Sequence, residues 1–506
     1  MMLRIIAGVA LIPAFLWAAD QTQSDDKLLD LTVVALDNHG QPVTDLTAAD
    51  FQVTDAGKPQ NISLFRKNIV SAARQSQAPA VSANQFTNRS GGSPRNAVVV
   101  LMDMLNMGYA ARGMAAHEIV RNFEGIKSSD SLYLYLLSVN GRFFPIHGIS
   151  PGEAPPPGPP GVPWTRGIKP MMDAGLRAVL SFRSPNIDVF VRTELTFRAL
   201  EALGEQLSAI PGRKIIVWVT DGVPVALGEM RSDTGFPIDF TPLIRQLSQA
   251  LERSNIALYP VRQIMLGRGD NIGADSGGFG ATGGAGTGLQ SIATLDLFAD
   301  FTGGRRSAGK DIAGAIQQAM RDLQFSYQIG YYVPASNWNG KFHKLRVNSR
   351  RKGVRIQAKA GYYAWKTEAG SRTNQAFAAI ASAPFDAEEI GLRATLSADA
   401  HDRGIRVLNL RIAAGDIALA QRGDNFTDQL RIAYVGYLPN GLIESSPVLP
   451  LDVHYSAAQR EQALQNGISF TEKLDSSRGE SKFRVMVFDR GSNAVGSITI
   501  PASAVR

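Results

Sequence analysis

The sequence contains no cysteine. That excludes disulfides, thiolate catalysis, cysteine-ligated zinc or iron-sulfur centres and a lipid on an N-terminal cysteine, so stability has to come from packing. Histidine is scarce, with 6 in 506 residues. His117-Glu118 has no second histidine at helical spacing, because position 121 is Arg121, so the helical zinc-protease motif is absent. Beyond the N-terminus no apolar run approaches the roughly 20 residues that span a bilayer. Net charge is low as well: the formal +7 is only a weak attraction for anionic partners at this length.

What is present is the composition of a folded protein, 44% hydrophobic and 19% charged, spread over a chain too long for one core. Residues 1–19 carry Arg4, an apolar run from Ile5 to Trp17 and small residues at Ala18 and Ala19 before Asp20. This resembles a secretory signal peptide, an uncleaved anchor being the alternative. It predicts an exported protein, periplasmic or extracellular, with no transmembrane span after signal cleavage.

The most informative stretch is Asn96 to Asn106. Six apolar residues, Ala97 to Met102, run without alternation and end on Asp103, the pattern of a strand buried on both faces. A second such run, Ile215 to Val219, ends on Thr220-Asp221-Gly222. Two carboxylates are thus expected at the carboxyl ends of strands in one sheet, where open α/β sheets hold their ligands.

Alternating strand and helix patterns over 96–324 predict a mostly parallel central sheet flanked by helices. Helices are expected over Ala110–Phe123, Thr193–Ala209, Pro242–Arg253, Leu295–Phe301 and Asp311–Leu323. Short apolar steps with turn formers predict an N-terminal β module over 25–68, followed by a Ser/Ala/Gln/Asn-rich linker over 69–95. Alternating runs over 325–366 predict an antiparallel β extension attached to the edge of the central sheet. A linker or short helix over 367–384 then leads to a C-terminal β-sandwich over 385–506. Pro151–Pro163 is expected to be extended, and Gly267–Gly288 to be a surface loop.

Seven motifs occur in order over about two thirds of the chain. They are Val43-Thr44-Asp45-Leu46-Thr47 with Asp50-Phe51; Leu101 to Asn106; Pro211-Gly212-Arg213-Lys214 leading to Val219-Thr220-Asp221-Gly222; Phe301-Thr302-Gly303-Gly304-Arg305; Phe325 to Tyr332; Gly340 to Val347; and Gly361-Tyr362-Tyr363-Ala364. Through them the segment from about Leu29 to Trp365 resembles the VWFA-related domain family of acidobacterial type, a divergent branch of the von Willebrand factor type A (VWA) fold. The resemblance implies a Rossmann-like sheet and protein binding through a metal-ion-dependent adhesion site. That site uses Asp-x-Ser-x-Ser, a threonine from another loop and a second aspartate. Asp103 and Asp221 match, but Leu105 and Met107 stand where the serines belong. Neither side chain offers the hard oxygen that Mg²⁺ requires. Thr193 and Thr196 flank the expected threonine, and Asn106 has a carbonyl oxygen to lend. The expectation is therefore no cofactor, with Mg²⁺ or Mn²⁺ at a degenerate site as the alternative, and a partner-binding rim made of Asp103, Asn106, Thr193, Thr196 and Asp221.

Other patterns carry less. Asp275-Ser276-Gly277-Gly278 is similar to a serine-protease nucleophile motif but lacks the partners of a triad. Arg268-Gly269-Asp270 is the tripeptide read by integrins, and three residues recur by accident. Lys341–Lys359 is basic without an acidic residue, which reads as a solvated hairpin face; an acidic polymer or lipid headgroups would be its alternative partners. Tyr331, Tyr332, Tyr362 and Tyr363 are expected to pack against the sheet and its edge rather than stack on nucleic acid. The leading expectation is an exported, non-enzymatic protein-binding or scaffolding protein with a protein partner and no nucleic acid. The alternatives are an exported hydrolase drawing on Asp386, Glu388, Asp452 or Glu472, and a structural component of a cell-envelope assembly.

Overall fold

A computed structural model describes residues 27–69, 85–89, 96–123, 131–149, 164–180, 189–207, 210, 213–223, 230–231, 237–262, 286–305, 311–364, 371–382, 386–402, 404–439, 443–476, 478–492 and 494–502. The signal-like segment, Pro151–Pro163, Arg268–Asp270 and Asp275–Gly278 lie outside the described residues. The protein is mixed α/β with several sheets. Among the described residues no helix is long and apolar enough to cross a membrane.

The central sheet has five strands, β1 (Ala97–Asp103), β2 (Leu132–Leu137), β3 (Phe143–His147), β4 (Lys214–Thr220) and β5 (Ile256–Arg262), in the order β5-β4-β1-β2-β3. All pairs are parallel except β2 with β3. β1 and β4 are buried along their whole length because helices cover both faces. On one side α1 (Tyr109–Phe123) and α6 (Ile312–Gln324) pack on Val98, Val100 and Met102. On the other, α3 (Val189–Leu207), α4 (Thr241–Arg253) and α5 (Gly286–Thr302) pack on Val99, Leu101 and Trp218. Helix α2 (Ile168–Leu180) lies against β3. Residues 286–288, expected in the Gly-rich loop, belong to α5.

Two expectations about the flanking segments need correction. The strands of 325–366 do not join the central sheet. Phe325–Val333 pairs instead with Lys27–Leu36 and Leu64–Ile69, and Phe342–Ser349 with Phe51–Asp55. The two resulting sheets share a core that includes Leu31, Val33, Phe51, Tyr327 and Leu345, so the N-terminal module and the later extension form one unit. Alternation identifies which face of a strand is buried, not which strand lies beside it. Within this unit the Tyr327 hydroxyl accepts from Leu46 N and donates to Val43 O, while Asp50 and Thr47 close a capping box. Those contacts account for the Val43–Phe51 motif.

The segment 69–95 is also more than a linker, because Gln85–Thr87 pairs with Leu392–Ala398. A buried asparagine fixes it: Asn88 Nδ2 donates to the carbonyls of Ala387 and Ile390, and its Oδ1 accepts from Leu392 N. The segment was hard to see in the sequence because hydrogen bonding, not an apolar run, anchors it. Of the two forms expected for 367–384, linker or short helix, the helix is present as α7 (Ser371–Ser382), which lays Phe377 and Ile380 on Val435, Met486 and Phe488. Beyond it two antiparallel sheets close on a common core of Leu392, Leu408, Leu410, Ile432, Val485 and Ile498.

A half-buried carboxylate on Lys27–Leu36 supplies a test. Asp30 accepts a hydrogen bond from Gln328 Nε2 on one oxygen, while its other oxygen is buried without a partner. Burial raises its pKa to about 6. A folded-state pKa above the unfolded one means the native state holds the proton more tightly, so stability should fall as pH rises from about 4 to about 6. Asp30→Asn should remove that slope and raise stability at pH 7 by on the order of 2 kcal/mol. Urea melts at pH 4 and 7 check it; equal gains at both pH values would refute the assignment.

Candidate functional site

The site lies at the carboxyl ends of β1 and β4, where the register sets Met102 beside Val219. Residues 101 and 103 of β1 and 216, 218 and 220 of β4 point to the same face, because strand side chains alternate. Asp103 is thereby brought against Trp218 and Thr220 at the end of the apolar layer, and it is fully buried.

Its carboxylate is held by four donors. Oδ1 accepts from Asn106 N at 3.1 Å. Oδ2 accepts from Asn106 Nδ2 at 2.8 Å, Thr220 Oγ1 at 2.8 Å and Trp218 Nε1 at 3.1 Å. Burial raises the Asp103 pKa, and the bonds from Asn106, Thr220 and Trp218 oppose that rise. The same Asn106 amide nitrogen also donates to Thr196 Oγ1 at 2.7 Å, and Thr196 Oγ1 donates to Arg192 O at 2.8 Å. A chain of hydrogen bonds therefore ties β1, the loop after it, β4 and α3 into one polar layer. The Asn106 Oδ1 atom is buried with no partner.

Asp221 sits one residue past β4. Its Oδ2 accepts from Gly108 N at 3.2 Å, just ahead of α1, and its Oδ1 is buried without a partner. Burial raises its pKa, with the Asp103 charge adding to the rise and Gly108 N–H, Arg262 and Arg112 acting against it. Arg112, on α1, donates from Nε to Met107 O at 2.9 Å and feels both Asp103 and Asp221, with Arg192 as a like charge.

The structure brings Asp103, Asn106 and Thr196 together and places Asp221 beside the next turn. It separates the two candidate threonines: Thr196 faces Asn106, whereas Thr193 is buried one turn earlier on α3. The expected direct contact of these side chains with a partner has to be corrected. Asp103, Asn106, Thr193 and Thr196 are all buried, so they form a floor. Among the residues next to these in sequence, Tyr109 is 80% exposed at the start of α1 and Val191 is 43% exposed in the first turn of α3. Trp218, Thr220 and Arg112 complete the floor. The period-2 relation of positions 218 and 220 was the available sequence signal for the first two; nothing in the sequence marked Arg112.

The donor set does not fit Mg²⁺ or Mn²⁺. Leu105 and Met107, buried in the cores on opposite faces of the sheet, supply no oxygen, and Asp103 Oδ2 already takes three hydrogen bonds; the oxygens still open are Asp103 Oδ1, with one bond, and Asn106 Oδ1 and Asp221 Oδ1, with none. The hydrolase candidates are scattered. Asp386 is bonded to Ser497 and Thr499 at one edge of the six-stranded sheet, and Asp452 pairs with Arg431 at the opposite edge. Glu472 lies on the other sheet, opposite Leu408, while Glu388 bridges to Gly496. No protein-family model matches the chain, and no curated protein matches it.

Proposed function

We propose that the chain is an exported binding protein with a VWA-like central domain, and that it engages a protein partner through the surface over the β1 and β4 ends. The observation that carries this reading is an exposed aromatic seated on a rigid polar floor. Tyr109 follows directly on Gly108, whose N–H holds Asp221, so its position is fixed although its ring is open to solvent. Large exposed aromatics on a preorganised base are the usual anchors of protein interfaces. Val191 on α3 adds an exposed apolar residue. The position at the carboxyl ends of the strands and the motif resemblance to the VWFA-related family support the same reading. An N-terminal export signal would place the partner in the periplasm or outside the cell.

The test is site-specific photo-crosslinking in the native cell envelope with the crosslinker at position 109, and at exposed Lys473 as control. One partner crosslinking from position 109 and not from 473 is expected. Tyr109→Ala should then weaken capture of that partner tenfold or more, the effect of losing about 1.5 kcal/mol or more at an aromatic anchor, with an unchanged melting curve. Equal labelling from both positions, or capture indifferent to Tyr109→Ala, would move the interface elsewhere.

A further inference from the structure

We infer that the Asn106 carboxamide stands in for a divalent cation at the floor of this surface, so that the floor is assembled permanently and without metal. A cation shared by Asp103 and Thr196 would bridge Asp103 Oδ2 on β1 and Thr196 Oγ1 on α3. The Asn106 amide nitrogen makes that bridge, at 2.8 Å to the carboxylate and 2.7 Å to the hydroxyl. An –NH₂ group has two hydrogens, and each has an acceptor. The orientation of the amide follows from the network. Turned over, its oxygen would face a carboxylate and a hydroxyl whose proton is committed to Arg192 O. The backbone N–H of the same residue holds Asp103 Oδ1, so one residue supplies three of the donors at the junction.

The surroundings agree with this substitution. Trp218 Nε1 and Thr220 Oγ1 complete the shell of Asp103 Oδ2 with neutral donors. The cationic charge acting on Asp221 comes from Arg262 and Arg112, and a divalent ion would have to enter against both guanidiniums. Leu105 and Met107, locked into opposite cores, cannot swing in to add ligands. A covalently attached amide does not dissociate, so the floor has no unbridged state, and changes in divalent-cation concentration should not switch the surface above it. This last consequence rests on the surface being the binding site; the substitution itself does not.

The experiment uses the full chain without any partner, titrated with MnCl₂ and MgCl₂ in a calorimeter and melted in EDTA or in Mn²⁺. The wild type is expected to show no saturable heat and the same melting temperature in both solutions. Asn106→Ser removes the bridging nitrogen and offers a hydroxyl oxygen, so this variant should melt lower in EDTA and recover part of the loss in Mn²⁺. Saturable Mn²⁺ binding by the wild type that disappears in Asp103→Asn would overturn the inference. A folded Asn106→Ser variant indifferent to Mn²⁺ would overturn it too, because the amide would then not be filling an ion's place. If Asn106→Ser does not fold, the wild-type titration decides alone. No partner is present in any arm, so failure here leaves the crosslinking test standing. Loss of crosslinking in Tyr109→Ala, in turn, says nothing about metal.

Discussion

Gly304→Ala is expected to destabilise the central sheet by about 3–5 kcal/mol, the range of a severe steric or backbone defect. A methyl at this position would lie 1.8 Å from Leu258 O and 2.8 Å from Leu258 C, both backbone atoms of β5. β5 is an edge strand of the sheet, and an edge with unpaired N–H and C=O groups has to be covered. The turn after α5 does this. Leu258 N donates to Thr302 Oγ1 at 2.9 Å, which donates in turn to Phe298 O at 2.7 Å. Gly303 then takes φ +66°, and the N–H groups of Gly303 and Gly304 return to Asp300 O and Ala299 O, the pattern of a Schellman cap. The cap lays the Gly304 Cα against the strand carbonyl, so neither the turn nor the strand can yield to a side chain without losing those bonds. Gly113→Ala is the control. Gly113 sits within α1 with open space around the added methyl, and the change should stabilise by about 0.5–1 kcal/mol through helix propensity. Hydrogen exchange at Leu258 N–H, read beside the melting temperatures, locates the damage. An unchanged melt for Gly304→Ala would mean that the edge is not covered in this way.

This turn also shows how far the sequence could be read. Phe301-Thr302-Gly303-Gly304-Arg305 stands out as a motif, yet its role depends on a strand more than 40 residues away in sequence, which no local pattern names. The buried runs of β1 and β4 were legible because each is apolar without interruption, and the carboxylates at their ends mark the rim. Helices were legible by period only in part: α1 begins one residue before the expected Ala110, whereas α5 begins nine residues before the expected Leu295 and α2 was not expected at all. What stayed hidden were partnerships. Alternation in Phe325–Val333 fixed a buried face and left the neighbouring strand open. Thr193 and Thr196 are three residues apart on one helix, too close for spacing to choose between them, and the Asn106 amide makes the choice. Leu105 and Met107 could be dismissed as ligands from chemistry alone, but not recognised as plugs for two different cores. Burial bears on one further expectation: of the residues that chemistry marked for the rim, Asp103, Asn106, Thr193 and Thr196 are buried and Asp221 is half-buried.

The amino end of the same sheet supports the second large effect, and its sign is opposite: Lys214→Met should stabilise the protein at neutral pH by about 3 kcal/mol. Lys214 begins β4 beside Ala97 and Ile256, far from the rim, and its side chain is buried with Nζ donating to Ile210 O at 2.7 Å. Burial lowers its pKa to about 8, with Glu389 opposing. The unfolded chain, with the ordinary value of 10.5, then binds more protons than the native one between about pH 8 and pH 10.5. Stability should therefore rise across that window, and below it the whole cost of burying an ammonium is present. A shift of about 2.5 units corresponds to about 3 kcal/mol. Methionine has a similar length and no charge to desolvate, so the gain should be full at pH 7, shrink through the window and be gone near pH 11. Denaturant unfolding of both proteins at pH 7 and pH 10 reads this directly. A destabilised Lys214→Met variant at pH 7 would show instead that the ammonium holds the loop at Ile210 in place, and that the carbonyl it binds outweighs the water it gave up.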